Sequence, residues 1–239
     1  MTKLMERKDL AKIYYSTLGR GISMQREFSS RPSLKELEHG EHYVHEHPMF
    51  ISQLASADPK LIDGAYGSIH DVEAQKRFGA KDLSEFSYWS WRSCAITALE
   101  MVLKTEGAVD QTTRTMDLVN EGLSIDGYEF ANDVGWFHTA IQSIAKAHGM
   151  ESSIGKLMPP SQIAKQIANG NYVIASVKSE TGGHLVLLYG FRLNEDHKVD
   201  GFYAHDPSDY SREGEGVFIS KSDFLKIYKQ RIITIHKKQ

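Results

Sequence analysis

The sequence predicts an α+β fold in which a helical N-terminal half packs on a mainly antiparallel C-terminal sheet. Two observations predict it. Up to about residue 168, apolar residues recur at helical spacing between start and stop signals. From Tyr172 onward they gather in short β-rich runs separated by turn residues, with a single helical stretch among them. Helices first and strands second is the α+β pattern, and short connections favour antiparallel pairs. A chain of 239 residues, 41% hydrophobic and 25% charged, has enough apolar surface to build a core without covalent staples.

Taken in order, Leu4, Leu10, Ala11, Tyr14 and Leu18 place a helix over residues 3–18, stopped by Gly19 and Gly21. Ser33 with Glu36 forms a capping-box pattern behind Pro32 and starts a second short helix. Residues 40–82, with scattered Gly, Pro, Asp and Ser, read as irregular with short helical pieces. Ser93 is the expected N-cap of a helix from Cys94 to about Thr105, with Ala95, Ala98, Leu99, Val102 and Leu103 facing inward. Further helices are expected near 111–121, 133–148 and 161–168. Strands are expected at Tyr172–Val177, His184–Phe191, Gly201–His205, Gly216–Ser220 and Arg231–His236, with a helix near 221–229. Residues 1–80 form an N-terminal helical or irregular extension in this reading, and residues 81–239 form the folded domain.

The chain has one cysteine, so it has no internal disulfide and no zinc-thiolate cluster. If Ser93 caps the helix, Cys94 lies in its first turn, where free backbone N–H groups and the helix dipole favour a thiolate. The plain alternative is a small buried hydrophobe. His184 opens an apolar strand directly after Gly182 and Gly183, and Gly183 would let a substrate backbone pass close by. A surface histidine at a strand end is the competing reading. Asp206 ends the next strand and, if the two strands are neighbours, accepts from the imidazole and fixes its tautomer. Before Pro207 it also reads as an ordinary turn residue. His205 and Asp209 are nearby competitors, and strand alternation turns His205 the other way.

Together these residues make a pattern: cysteine at a helix start, histidine at a strand start, aspartate at a strand end. Tyr88–Leu103, Gly183–Gly190, His205–Pro207 and, near the end, Gly216–Ser220, Ser222–Leu225 and Arg231–Ile235 carry a resemblance to the C39-like peptidases. That papain-fold group is best known for members that trim bacteriocin leader peptides. The resemblance spans roughly 84–236 and implies a papain-like cysteine protease fold, a Cys94–His184–Asp206 triad and a peptide or amide substrate. Two positions depart from the family pattern. Ala95 stands where Gly usually follows the cysteine, and Ser87–Ser93 lacks the upstream Gln that donates to the oxyanion in many members. The Cys94 N–H supplies one donor, and Tyr88, Trp89, Ser90 or Trp91 are candidates for the second. Gln53 is too far away in sequence to be assigned this role. Trp91 and Gly183 are candidate substrate-binding residues, although Tyr88, Trp89 and Trp91 read equally well as core packing behind the helix.

His42, His45 and His47 crowd one segment, which more often marks a solvated loop than a metal site. No metal or cofactor is expected. A net charge of -3 gives no electrostatic reason to expect nucleic acid. No run approaches the ~20 apolar residues of a membrane helix, and the charges spread through Met1 to Arg20 set the expectation of no secretory signal there. A cytoplasmic, membrane-independent protein is the expectation. The predicted function is a cysteine-dependent amide or peptide hydrolase working through a thioester. The alternatives are a non-catalytic peptide-binding module of the same fold, or an acyltransferase or peptide-cyclising enzyme using the same triad.

Overall fold

The computed structural model describes residues 33–133, 135–179, 182–209 and 212–238. The helix expected over 3–18 lies outside them. Ser33 caps a 3₁₀ turn at Leu34–Glu36, with the Glu36 carboxylate accepting from the Ser33 N–H at 3.0 Å. The elements then follow in order: β1 (Gly40–Tyr43), α1 (Val72–Phe78), α2 (Leu83–Ser90), α3 (Cys94–Thr105), α4 (Thr115–Ser124), β2 (Tyr128–Glu129), β3 (Gly135–Trp136) and α5 (His138–Ala147). They continue with β4 (Met150–Lys156), α6 (Pro160–Ala168), β5 (Tyr172–Ser179), β6 (Gly182–Leu193), β7 (Val199–His205), β8 (Val217–Ser220), α7 (Lys221–Ile227) and β9 (Tyr228–Lys237).

The predicted mixture of helices and an antiparallel sheet is what the chain forms. Among the described residues the main sheet has seven strands, all pairing antiparallel, six of them in the order β4-β9-β5-β6-β7-β8 and β1 beside β6. β1 extends the β5 side of β6, pairing Gly40–Tyr43 with Leu193–Gly190 where β5 has ended. β5 is buried at every position from Tyr172 to Val177, so both faces of the sheet centre are covered. α3 packs on β5 and β6 and touches α4 and α5, while α6 and α7 pack on β5 and β7. Nothing in the 40–82 region had signalled a strand. β1 there is only four residues long, and its His42 and Tyr43 are half-buried, so it carries little apolar alternation to read.

α3 is the core helix. Ala95 to Leu103 are all buried, as an all-round apolar helix must be. Each fully buried Leu or Ile here contributes about 1.5–3 kcal/mol. Its two buried polar side chains have partners: Thr97 donates to Ser93 Oγ at 3.4 Å, and Glu100 binds Lys104 at 2.7 Å and the Thr115 hydroxyl at 2.6 Å. The helix expected over 133–148 begins only at His138. Gly135–Trp136 pairs instead with Tyr128–Glu129, with Gly135 at φ 110°, a conformation that suits glycine. The expected 111–121 helix is shifted to Thr115–Ser124, because Asp110 folds Thr112 into a turn through its N–H at 2.8 Å and its hydroxyl at 2.7 Å.

Candidate active site

Cys94 is the first residue of α3, as expected, but Ser93 does not cap the helix with its side chain. α2 and α3 follow each other so closely that the Ser93 hydroxyl donates back to Ser90 O at 3.4 Å. The first-turn N–H groups beside Cys94 therefore lack a side-chain cap, and the positive end of the helix dipole faces the thiol. The turn before Cys94 is held from three sides. Trp91 Nε1 donates to Gly67 O at 2.8 Å, Trp136 Nε1 donates to Arg92 O at 2.9 Å, and the Arg92 guanidinium grips Asp133 at 2.6 Å.

His184 and Asp206 arrive on adjacent strands. β6 and β7 pair through Leu187 and His205, which brings the end of β7 beside the start of β6. His184 Nε2 lies 2.7 Å from Asp206 Oδ1. With Nε2 so engaged, Nδ1 is the nitrogen left for Cys94, whose side chain interacts with the imidazole. Burial alone would push the His184 pKa down, but Asp206 and Cys94 outweigh it and carry it up to about 10. Burial likewise opposes ionisation of Asp206, yet His184 and both Ser208 donors hold its carboxyl down at about 2. A cation and an anion side by side are thus the ground state of this pair.

The competitor His205 is otherwise engaged. It is buried, donates from Nε2 to Pro48 O at 2.9 Å and accepts the Gly216 N–H on Nδ1 at 3.0 Å, which fixes a neutral ring. Burial also lowers its pKa. Gln53 is brought close to the site after all, its N–H on Pro207 O at 2.8 Å, although it does not line the cavity.

Cys94, His184, Trp91 and Gly183 share a cavity of about 1290 Å³. Its other walls were not anticipated: Tyr66, the hairpin residues Tyr128, Glu129, Asn132, Asp133, Gly135 and Trp136, then His138, Ser176, Lys229 and Arg231. Tyr88, Trp89 and Ser90 do not line it. Tyr88 lies under the Arg92 guanidinium, Trp89 packs against Tyr128, Phe130 and Trp136, and Ser90 is buried with its hydroxyl on Ser87 O at 3.3 Å. His138 is the other cavity histidine, with Nε2 at 2.7 Å from Ser176 Oγ; burial first, then nearby Arg231 and Lys229, keep its pKa low. His42, His45 and His47 stand apart. His42 donates to Glu38 O and stacks on Phe191, His47 packs on Tyr43, and His45 sits beside Glu46 in solvent. The described residues hold no group of three metal-ligating side chains.

Residues 71–232 match the Peptidase_C39 like family. The chain belongs to that family. Among solved structures, a Bacillus anthracis protein described as a C39-like peptidase superposes with a TM-score of 0.51 at 16% identity, over 84% of this chain and 100% of that one. The peptidase domain of Streptococcus ComA, a bi-functional ABC transporter, matches at 19% identity and TM-score 0.45, over 62% of this chain and 93% of that one. A double glycine motif protease from an AMS/PCAT transporter, solved with its leader peptide, matches at 19% identity and TM-score 0.43, over 61% and 85%. The Bacillus match carries the fold assignment. A search of curated protein sequences finds no match. Membership in a peptidase-like family supports a peptidase-type function. No helix among the described residues is long and apolar enough to cross a membrane.

Proposed function

We propose that this protein is a cysteine-dependent amide or peptide hydrolase, with Cys94 as nucleophile, His184 as acid and base, and Asp206 as the orienting carboxylate. The order Asp206–His184–Cys94 carries the reading: the carboxylate takes Nε2 and leaves Nδ1 for the sulfur. The Cys94 thiolate adds to the substrate carbonyl, and the negative charge moves onto its oxygen. In this reading the Cys94 backbone N–H receives that oxyanion, supported by its place at a helix end with no side-chain cap. Collapse expels the amine, which takes the proton from His184 Nδ1 and leaves a thioester. His184, now neutral, removes a proton from water. The resulting hydroxide releases the carboxylic acid and restores the thiolate–imidazolium pair. A lone thiol with this role works best in a reducing compartment, which agrees with a cytoplasmic setting.

One observation favours a second reading, a peptide-binding module without turnover. The donors of Ser90 and Trp91 are committed to Ser87 O and Gly67 O, and Tyr88 and Trp89 lie off the cavity. A missing oxyanion donor costs ~10²–10³ in rate.

Cleavage of a peptide mixture followed by mass spectrometry tests the hydrolase. Cys94→Ala should abolish product formation, and His184→Ala should lower it by about 10²–10⁴-fold. Products formed equally by purified Cys94→Ala would refute the hydrolase. A wild type that forms none, yet binds peptides through the cavity, would establish the module.

A further inference from the structure

The cavity has a built-in cationic wall that the triad does not use. β5 and β9 pair through Ala175 with Ile232 and Val177 with Tyr228, so β9 places Lys229, Gln230 and Arg231 where β5 has only Ser176. Gln230 at the centre of this bulge holds φ at 58°, a left-handed conformation that a glutamine adopts at a cost. The bulge is tied from the far side by Leu157, whose N–H donates to Gln230 O at 2.8 Å. Bulges re-aim side chains, and this one turns both flanking cations onto the cavity.

Val177 pairs with Tyr228 on one side and with His184 on the other. The bulge thus begins two strand spacings, about 10 Å, from the base. Lys229 reaches back across that gap: a Cβ added at Gly183 would lie 3.3 Å from its Nζ. Neither Lys229 nor Arg231 forms an ion pair with a described carboxylate. Two acids that line the cavity are engaged elsewhere, Asp133 by Arg92 and Tyr128, and Glu129 by the N–H groups of Ala131 and Asn132. Two exposed, unpaired cations on a strained bulge beside the reacting groups have a natural complement in an anionic substrate group.

Resting on the thiol reading above, we propose that the substrate carries a carboxylate close to its reacting carbonyl and that Lys229 and Arg231 recognise it. The carboxylate comes from an acidic side chain or from a peptide C-terminus.

Three alkylating probes distinguish these sources without any need for turnover: iodoacetyl-glutamine amide, iodoacetyl-glutamate amide and iodoacetyl-glycine. In each, the Cys94 sulfur forms a thioether and iodide leaves, and as the chain's one cysteine it can be followed by intact mass. At low salt, at least one carboxylate probe should react about tenfold faster than the neutral one, an advantage that high salt screens. The glutamate probe leading identifies an acidic side chain, and the glycine probe leading identifies a terminal carboxylate. In Lys229→Gln/Arg231→Gln the advantage should vanish, while Lys229→Arg/Arg231→Lys should keep it. Equal rates in the wild type, an advantage that survives loss of both charges, or one lost in the charge-keeping variant would each overturn the assignment. If the neutral probe reacts only after unfolding, the thiol reading itself fails and takes this inference with it.

Discussion

His184 Nε2 and Asp206 Oδ1 sit 2.7 Å apart, and that same oxygen also accepts the Ser208 N–H at 2.9 Å and the Ser208 hydroxyl at 2.7 Å. One carboxylate oxygen thus gathers three donors, which keeps Asp206 ionised and the imidazole ring fixed in orientation. Asp206→Asn removes the charge while keeping the shape. The His184 pKa should then fall from about 10 toward or below its ordinary 6.5, because burial is left less opposed. Cys94→Ala should lower it as well, by a separate route. Imidazole proton shifts followed against pH measure both, and an unchanged pKa in Asp206→Asn would break the proposed coupling.

The same pair sets a pH window for stability. Folding tightens the proton on His184, whose pKa rises from 6.5 to about 10, so its contribution is full below 6.5 and is lost as pH rises through about 10. Folding loosens the proton on Asp206, from 3.8 to about 2, so its contribution is full above 3.8 and is lost as pH falls through about 2. Thermal unfolding of the wild type against His184→Ala/Asp206→Ala should show the widest gap between 3.8 and 6.5, narrowing on either side. A gap that widens toward alkaline pH would contradict it.

Gly214 positions Asp206 from behind. The Asp206 N–H donates to Gly214 O at 2.9 Å, and a Cβ on Gly214 would lie only 2.3 Å from the Asp206 carbonyl oxygen. Backbone cannot yield as a flexible side chain does, so Gly214→Ala must displace the backbone at Asp206 or at Gly214 itself. The expected result is a His184 pKa well below about 10 and slower alkylation of Cys94, in a protein that remains folded. A wild-type imidazole titration in Gly214→Ala would show that the methyl is absorbed without moving Asp206.

The parts legible in the sequence were those where local signals and tertiary demands agree. α3 could be placed to the residue because an apolar block follows Ser93 and Gly107 comes just beyond its end. The convergence of His184 and Asp206 followed once their strands were taken as neighbours, since antiparallel pairing brings a strand end beside a strand start. The cavity wall was not legible. Lys229 and Arg231 read as the end of a helix and the start of a strand, and a bulge with Gln230 at φ 58° has no residue-type signature. His138 was hidden inside an expected helix whose first turn is a two-residue strand pairing with Tyr128–Glu129. Ser93 shows the opposite case: its position was right, but the cap was pre-empted by the closeness of α2, a tertiary fact.

Glu100 gives a stability test away from the site. It is buried in α3 and held by Lys104 and Thr115, and burial raises its pKa against their pull. Lys104→Met leaves a buried carboxylate without its cation and should cost about 3 kcal/mol. A carboxyl with a raised folded pKa binds its proton more tightly when folded, so the loss should grow as pH rises and shrink in acid. Glu100→Gln/Lys104→Met should recover most of it. Urea unfolding at several pH values checks both statements, and a pH-independent loss would mean that packing of the lysine stem dominates.

Arg92 links the reactive turn to the β2–β3 hairpin. Its guanidinium binds Asp133 through Nε at 3.0 Å and Nη2 at 2.6 Å, and it donates from Nη1 to Tyr88 O at 3.1 Å. Asp133 also accepts from the Tyr128 hydroxyl, so one bidentate pair joins the residues before Cys94 to a hairpin that lines the cavity. As a partly exposed pair its share of global stability is small, about 1 kcal/mol or less. Its effect on the site should be larger, because a displacement near 1 Å can cost ~10² in rate. Arg92→Lys keeps the charge but loses the fork. The expected result is Cys94 alkylation slowed about tenfold or more, with the unfolding midpoint nearly unchanged. Alkylation at the wild-type rate in Arg92→Lys would mean that Trp91 on Gly67 and Trp136 on Arg92 O hold the turn by themselves.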